Sequence, residues 1–273
     1  MLYIIRVDLA KRCIVDPGAK LKLQQFDPDD TFGIKKDRRA LEKTLLRLRE
    51  QQHLLYADKR YGLVIILQAL DAGGKDGTIR HVMSGVNPQG CQVVSFKTPT
   101  STERGHDYLW RVHSAMPERG NIGILNRSHY EDVLIVRVHK LVPKEVWSKR
   151  FRQINNFERM LSENGFTILK FFLHISKEEQ KKRFIQRMTD PARNWKLSLP
   201  DFEERQHWDD YMEAYQDVLR KCSRPWAPWF VIPANKKWFR NYLVAELIVS
   251  ALDNMKLKYP APSVDLTKVV LTD

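Results

Sequence analysis

One short bend in this chain brings together residue types that could do chemistry: Asp71-Ala72-Gly73-Gly74-Lys75-Asp76-Gly77-Thr78. It follows the apolar run Leu63-Val64-Ile65-Ile66-Leu67 and precedes Ile79-Arg80-His81-Val82. A phosphate-binding loop is written G-x-x-x-x-G-K-[S/T] between a strand and a helix. Gly74-Lys75 supplies the GK pair, but Ala69 stands at the first glycine and Asp76 at the hydroxyl residue. The literal match fails, yet the physical content survives. Gly73 and Gly74 let backbone N–H groups converge on an anion, and a helix starting near Lys75 adds its positive end. Lys75 adds a point charge for phosphoryl oxygens. The missing hydroxyl removes the usual magnesium ligand of such a loop, and Asp71 is a hard oxygen donor able to replace it. The plain alternative is a left-handed glycine turn with Asp71 as a solvated carboxylate.

A second polar cluster, Asn126-Arg127-Ser128-His129-Tyr130-Glu131-Asp132, follows the apolar run Ile122–Leu125. In phosphoryl-transfer sites an acid at such a place helps hold magnesium and an arginine offsets developing charge. Glu131 and Asp132 are the carboxylates available. The alternative is a helix start whose acids favour its dipole. A third cluster, residues 177–196, carries Lys177, Lys181, Lys182, Arg183, Arg187, Arg193 and Lys196 against Glu178, Glu179 and Asp190. Arg183 and Arg187, four apart, share a helix face. A basic helix ending at Asp190-Pro191 and followed by an irregular basic segment suits a lid that closes over phosphates and excludes water. A solvated basic face is the alternative. His106, His129 and His207 share no metal-ligand spacing and read as surface or supporting groups.

The elements that must position these clusters are legible as alternating periods. Residues 35–58 are helical, with Leu41, Leu45, Leu48 and Leu55 on one face. Short apolar runs at 63–67, 92–96, 122–125, 167–175 and 229–232 read as parallel strands covered on both faces. Helical faces lie between and after them: Trp147, Phe151, Ile154, Phe157 and Leu161; Trp208, Tyr211, Tyr215, Val218 and Cys222; Trp238, Tyr242, Ala245, Ile248 and Leu252. Ser176 with Glu179 reads as a capping box. Alternation of this kind predicts a three-layer α/β/α sandwich around a five-stranded parallel sheet, with ligands at the carboxyl ends of the strands. Residues 1–34, with turn signals at Asp16-Pro17-Gly18 and Asp27-Pro28-Asp29-Asp30, read as an extended arm laid on the body. The Pro225–Trp229 aromatics read as core. The domain limits expected are 1–34 for the arm, 35–256 for the main domain with its helical lid at about 181–207, and 257–273 for a tail.

Composition narrows the partners. The 273 residues carry 46 Lys plus Arg against 33 acids, a net charge of +13. Such a field favours a polyanion or a phosphate-rich substrate. Cys13, Cys91 and Cys222 lie far apart with no CxxC, which excludes a disulfide framework or a thiolate zinc site and suits a reducing compartment. No apolar run reaches the roughly 20 residues of a spanning helix. The start MLYII meets Arg6 and Asp8 too soon for a signal peptide, so a cytoplasmic location and no membrane partner are expected. A nucleic-acid-binding module would also use a basic surface, but no reader motif is present, and no specific nucleic acid is expected.

Five segments in order, Asp71–His81 (DAGGKDGTIRH), Asn87–Gly90 (NPQG), Leu125–Val133 (LNRSHYEDV), Arg193–Ser198 (RNWKLS) and His207–Tyr215 (HWDDYMEAY), resemble the polyphosphate kinase 2 family, and its class III branch above all. The likeness spans about Phe32 to Leu252. It implies a P-loop kinase fold with a lid, a homo-oligomer (dimer or tetramer), and phosphoryl transfer from inorganic polyphosphate to a nucleotide. For the class III branch it implies AMP and ADP as acceptors, with GMP and GDP as further acceptors, and magnesium or in its place manganese. By the same likeness Asp71 and Lys75 belong to the Walker A site, and Arg127, Glu131 and Asp132 to the Walker B region. Other branches carry Asp where Asn126 stands here, which moves the metal assignment toward Asp132 or Glu131.

Phosphoryl-transfer logic then distributes roles. Asp71, Lys75, Arg127 and Asp132 are expected to be catalytic. Asp71 and Asp132, with Glu131, are the expected metal ligands. Gly73, Gly74, Lys75, Asp76, Gly77, Thr78, Arg80, Asn126, Arg127, Arg183, Arg187, Arg193 and Lys196 are the expected phosphate contacts. The rival within the same fold is an ATP-dependent nucleotide or small-molecule kinase.

Overall fold

The computed structural model describes residues 2–269, with side chains from Asp8 onward. Eleven α-helices and five strands follow in chain order: α1 (Leu2–Cys13), α2 (Arg38–Asp58), β1 (Gly62–Gln68), α3 (Lys75–Val82), β2 (Cys91–Ser95), α4 (Ser101–Arg104), α5 (Trp110–Ser114), β3 (Ile122–Asn126), α6 (Ile135–Val138), α7 (Lys144–Glu163), β4 (Phe166–His174), α8 (Lys177–Thr189), α9 (Leu199–Glu204), α10 (Trp208–Cys222), β5 (Trp229–Pro233) and α11 (Lys237–Asn254). The strands form one parallel sheet in the order β2-β3-β1-β4-β5. The order reverses beside β1, so the loop after β1 opens into the crevice where sheets of this kind bind ligands.

Alternation along the strands builds the two faces. Val64 and Ile66 of β1 pack toward α7 and α10, together with Ile154, Phe157, Tyr215 and Val218. Leu63, Ile65 and Leu67 pack toward α2, α3 and α11, with Leu48, Val82, Leu243 and Val244. Both faces are covered, as a buried parallel sheet requires. Only β2 departs from the expected burial on both faces. It is one of the two edge strands, and its Gln92, Val93 and Ser95 are exposed, whereas β5 at the other edge is buried.

Residues 1–34 are not extended throughout. The arm opens with α1, whose Leu9 and Cys13, one helical turn apart, are buried against β5 and α11. In the sequence Leu2, Tyr3, Ile4, Ile5 and Val7 form a nearly continuous apolar run, so no helical period stands out before Leu9. Beyond it the chain is laid on the body as expected: Val15 N–H donates to the Trp229 carbonyl at 2.8 Å, and Ile14 bridges Phe230. The tail begins with Leu257 half-buried against the core, is exposed from Lys258 and is tied by Lys258 N–H to Asp58 at 2.6 Å; residues 270–273 lie outside the described residues. Ser176 caps α8 by accepting from Glu179 N–H at 3.1 Å, but the reciprocal half of the box is missing, because Glu179 instead accepts from Arg183 Nε at 2.7 Å.

A buried ionic cluster joins the layers beneath β3. Lys170, at the centre of β4, donates to Glu158 of α7 at 2.6 Å, to Tyr130 Oη at 2.8 Å and to the Cys222 carbonyl at 2.7 Å. Tyr130 Oη donates to Glu158 at 2.7 Å, and His129 Nε2 lies 3.2 Å from the same carboxylate. Burial works against the Glu158 charge, but Lys170 and His129 outweigh it and hold the carboxyl below its usual range. Removing one partner of a buried pair strands the other charge. Lys170→Met is therefore expected to lower the unfolding free energy by about 3–5 kcal/mol in urea titration. A variant as stable as the parent would show that the cluster does not hold these layers together.

Candidate active site

The loop between β1 and α3 is built from hydrogen bonds to itself. Gly73 N–H donates to the Leu70 carbonyl at 2.9 Å, and Thr78 N–H to the Gly74 carbonyl at 2.9 Å. Ala72 (φ 58°) and Gly74 (φ 106°) are left-handed, and Gly74 caps α3. A left-handed alanine is strain that the surroundings must hold. They do so from α8: Gln180 Nε2 donates to the Asp71 carbonyl at 2.9 Å, and Arg183 donates to the Ala72 and Gly73 carbonyls, both at 2.9 Å. Among the described residues the Gly74 N–H, at the start of α3, is left without a backbone acceptor, as is usual at a helix N-terminus.

Lys75 curls back to donate to the Ala69 carbonyl at 2.8 Å. Burial, then Arg127, pulls its ammonium below the usual lysine range, while Asp71 and Glu131 pull the other way. Arg127, left-handed at φ 61°, is fixed by its N–H to the Leu67 carbonyl at 3.1 Å. Its guanidinium donates to Asp71 at 2.8 Å. The β3 end also ties Asn126 Nδ2 to Asp76 at 3.0 Å, and Lys196 of the segment after α8 reaches the other Asp76 oxygen at 3.1 Å.

Three cavities open around this loop. The front one, about 740 Å³, is lined by Asp71, Gly73, Gly74, Lys75, Asp76, Gly77, Asn126, Arg127, Arg187 and Lys196, with Lys97 from beyond β2. The rear one, about 650 Å³, adds Arg80 and Arg193 and shares Gly74, Asp76, Gly77, Arg187 and Lys196. A smaller one, about 230 Å³, joins Asp71 and Arg127 to Glu131, Gln180, Arg205 and Tyr211. Burial pushes the Glu131 carboxyl up, against the pull of Arg127 and Lys75.

Most of the expected residues meet here; Asp132 and Thr78 do not, and Arg183 does so with its donors already engaged. Asp132 is turned away from Asp71. It accepts from Arg150 at 3.0 Å and lines a separate cavity with Tyr108 and Arg111. The two acids are neighbours on a tight 3-10 turn (His129–Val133), so they face different ways, and Glu131 is the one that faces Asp71. Thr78 is buried, and its hydroxyl donates to the Gly74 carbonyl at 3.1 Å. Arg183 lines the rear cavity, but its donors are spent on backbone carbonyls and Glu179, so it supports the loop. His129 is buried on Glu158, and His106 stacks on Trp110. Sequence reasoning missed Arg240 and Lys237 of the rear cavity. Both begin the helix after β5, a strand end where ligands of such sheets are expected, and that position was the available signal.

The sequence model described as Polyphosphate kinase 2 (PPK2) matches residues 33–260. The chain belongs to the polyphosphate kinase 2 family. It is an enzyme, a kinase of P-loop type. A Meiothermus ruber protein named AMP/ADP-polyphosphate phosphotransferase is 49% identical, over 96% of this chain and 99% of its own. A Rhodopseudomonas palustris protein named ADP-polyphosphate phosphotransferase is 47% identical, over 92% of each. The crystal structure of polyphosphate kinase 2 from Arthrobacter aurescens superposes with a TM-score of 0.89 at 41% identity, covering 93% of this chain and 92% of that one.

In this polyphosphate kinase 2 the backbone of the loop is close to its limit at Gly74. A β-carbon there would overlap the Arg240 guanidinium, at a φ that L residues rarely adopt. Shifts of about 1 Å at such positions can cost roughly 100-fold in rate. Gly74→Ala is expected to lose about that much turnover while keeping its far-ultraviolet circular dichroism. Turnover within a few-fold of the parent would mean that the loop does not hold the reacting groups.

Proposed function

We propose that this loop transfers the terminal phosphoryl group of inorganic polyphosphate to AMP and to ADP. The observation that carries the reading is the convergence of Lys75, Arg127 and Asp71 on one face of a loop whose N–H groups crown a helix start. The names borne by the Meiothermus and Rhodopseudomonas proteins supply the donor and the acceptors. An acceptor phosphate oxygen attacks the terminal phosphorus, the bridging P–O bond breaks, and the chain leaves one phosphate shorter. The acceptor phosphate is already ionised near neutral pH, its second pKa being about 6, so no general base is required. Positioning and charge then carry the rate.

Each residue has a task. Lys75 and the Gly74 amide hold phosphoryl oxygens, while the Gly73 amide closes the loop on the Leu70 carbonyl. Arg127 turns from Asp71 toward the charge on the equatorial oxygens. Arg187, Arg193 and Lys196 bring the lid down and exclude water. Among the described residues no group of three His, Cys, Asp or Glu forms a ready metal cage. Asp71 and Glu131 on one small cavity nevertheless suit magnesium, which takes one or two carboxylates, keeps waters and accepts substrate phosphates. Manganese accepts the same oxygen donors. Bound there, the ion would shield the charge on the transferring group. Asp132, held by Arg150, is left as a support of the turn. The reading extends to GMP and GDP as further acceptors and to a homo-oligomer of two or four chains.

Incubating AMP, magnesium and polyphosphate without ATP is expected to yield ADP and then ATP by chromatography. No product would favour an ATP-dependent kinase of the same fold. Asp71→Asn and Lys75→Ala are each expected to cost at least about 100-fold in turnover, the scale of one strong transition-state contact. A near-normal rate from either would remove that residue from the site.

A further inference from the structure

Two buried arginines meet behind the phosphate loop, 5% and 2% exposed, and they use their donors differently. Arg183 gives Nε to Glu179, Nη1 to the Ala72 and Gly73 carbonyls, and Nη2 to the Ala234 and Asn235 carbonyls. Arg240 gives Nε and Nη2 to a single neutral oxygen, Asn241 Oδ1, at 3.1 and 2.8 Å. Among the described residues its Nη1 has no hydrogen-bond acceptor, and no carboxylate pairs with the group. Nη1 rests on Gly74, where a β-carbon would overlap it, and Arg240 lines the rear cavity. Burial, with Arg183 beside it, pulls the guanidinium down to about 9, so it is still a cation at neutral pH. Burying a charge without a counter-charge is costly. An arginine in that state, beside a helix start and facing a cavity, is matched to an incoming phosphate.

We propose that Arg240, with Lys237 at the mouth of the same cavity, holds the donor polyphosphate at the phosphates behind the one transferred. The assignment rests on the phosphoryl-transfer reading above and divides the two large cavities between the substrates. The rear cavity has seven cationic residues against Asp76 and Asp190, and none of its carboxylates is Asp71 or Glu131. A chain bearing about one charge per phosphate and no apolar part is best met there. The front cavity has five cations against three acids, and adds Phe96 and the Asp71 carboxylate. A nucleotide, with a base to cover and a metal to share, fits that balance better. Because the cavities share Gly74, Asp76 and Gly77, the two reacting phosphates meet at the loop.

Arg240→Gln tests the assignment by steady-state kinetics with long-chain polyphosphate and ADP, alongside thermal unfolding. The expected result is a rise of at least about tenfold in the KM for polyphosphate, the scale of a lost hydrogen bond to a charged group. The KM for ADP stays within twofold, and the melting temperature holds or rises, since an uncompensated buried charge has gone. Arg240→Lys is expected to recover part of the donor affinity. A rise confined to the ADP KM, an unchanged donor KM, or a fall in melting temperature without a donor effect would each overturn the proposal. Should Arg240→Gln not fold, the exposed Lys237→Gln decides: a donor KM raised about two- to fivefold supports the assignment, and an unchanged one overturns it. Parent enzyme making no ATP from polyphosphate would instead defeat the underlying reading, so the two failures are distinct.

Discussion

Arg183 is the point at which α8, the loop after β1 and the residues following β5 are joined. Its guanidinium reaches carbonyls on both sides, at Ala72 and Gly73 and at Ala234 and Asn235, while Glu179 one turn earlier on α8 holds Nε. A loop with a left-handed alanine in it does not keep its shape by preference. It keeps it because the Ala72 and Gly73 carbonyls are occupied by a buried cation and the Gly73 N–H is closed on the Leu70 carbonyl. Helix α8 and the loop are thereby tied to one another through one buried side chain.

The second support is electrostatic and lies under the β3 turn. Lys170 and Glu158 neutralise each other in the interior, and Tyr130 and His129 are tied to the same carboxylate. Those two residues directly precede Glu131. Their anchoring decides which of two adjacent acids faces Asp71 and which is left to Arg150. A buried pair of this kind adds little net stability, but it fixes a register, because any other arrangement strands a charge.

Around these supports the net charge of +13 is not spread evenly. Arg80, Arg187, Arg193, Lys196, Lys237 and Arg240 gather on one side of the loop, drawn from α3, the lid and α11. Asp71 and Glu131 sit on the other. An enzyme joining two phosphate-bearing substrates must overcome their mutual repulsion. The loop thus divides a side rich in cations from a side that carries two carboxylates beside Arg127.

Much of this was readable from the chain itself. The five strands are marked by short apolar runs, because a parallel sheet buried on both faces needs them, and the helical faces of α7, α10 and α11 follow from 3.6-residue spacing. The glycine-lysine bend and the acids after β3 stand at strand ends, which local pattern also reveals. Tertiary structure decided what depends on direction rather than type. Glu131 and Asp132 are adjacent in sequence and equal in chemistry, and only the turn anchored by Tyr130 separates their roles. Arg183 and Arg240 are both arginines behind the glycine loop, and only tertiary packing surrounds one with carbonyls and sets an open cavity beside the other. Lys170 reads as an intruder in an apolar strand until Glu158, twelve residues away and in another layer, is seen to meet it. Spacing fixes which residues share an element; long-range packing fixes where their charges point.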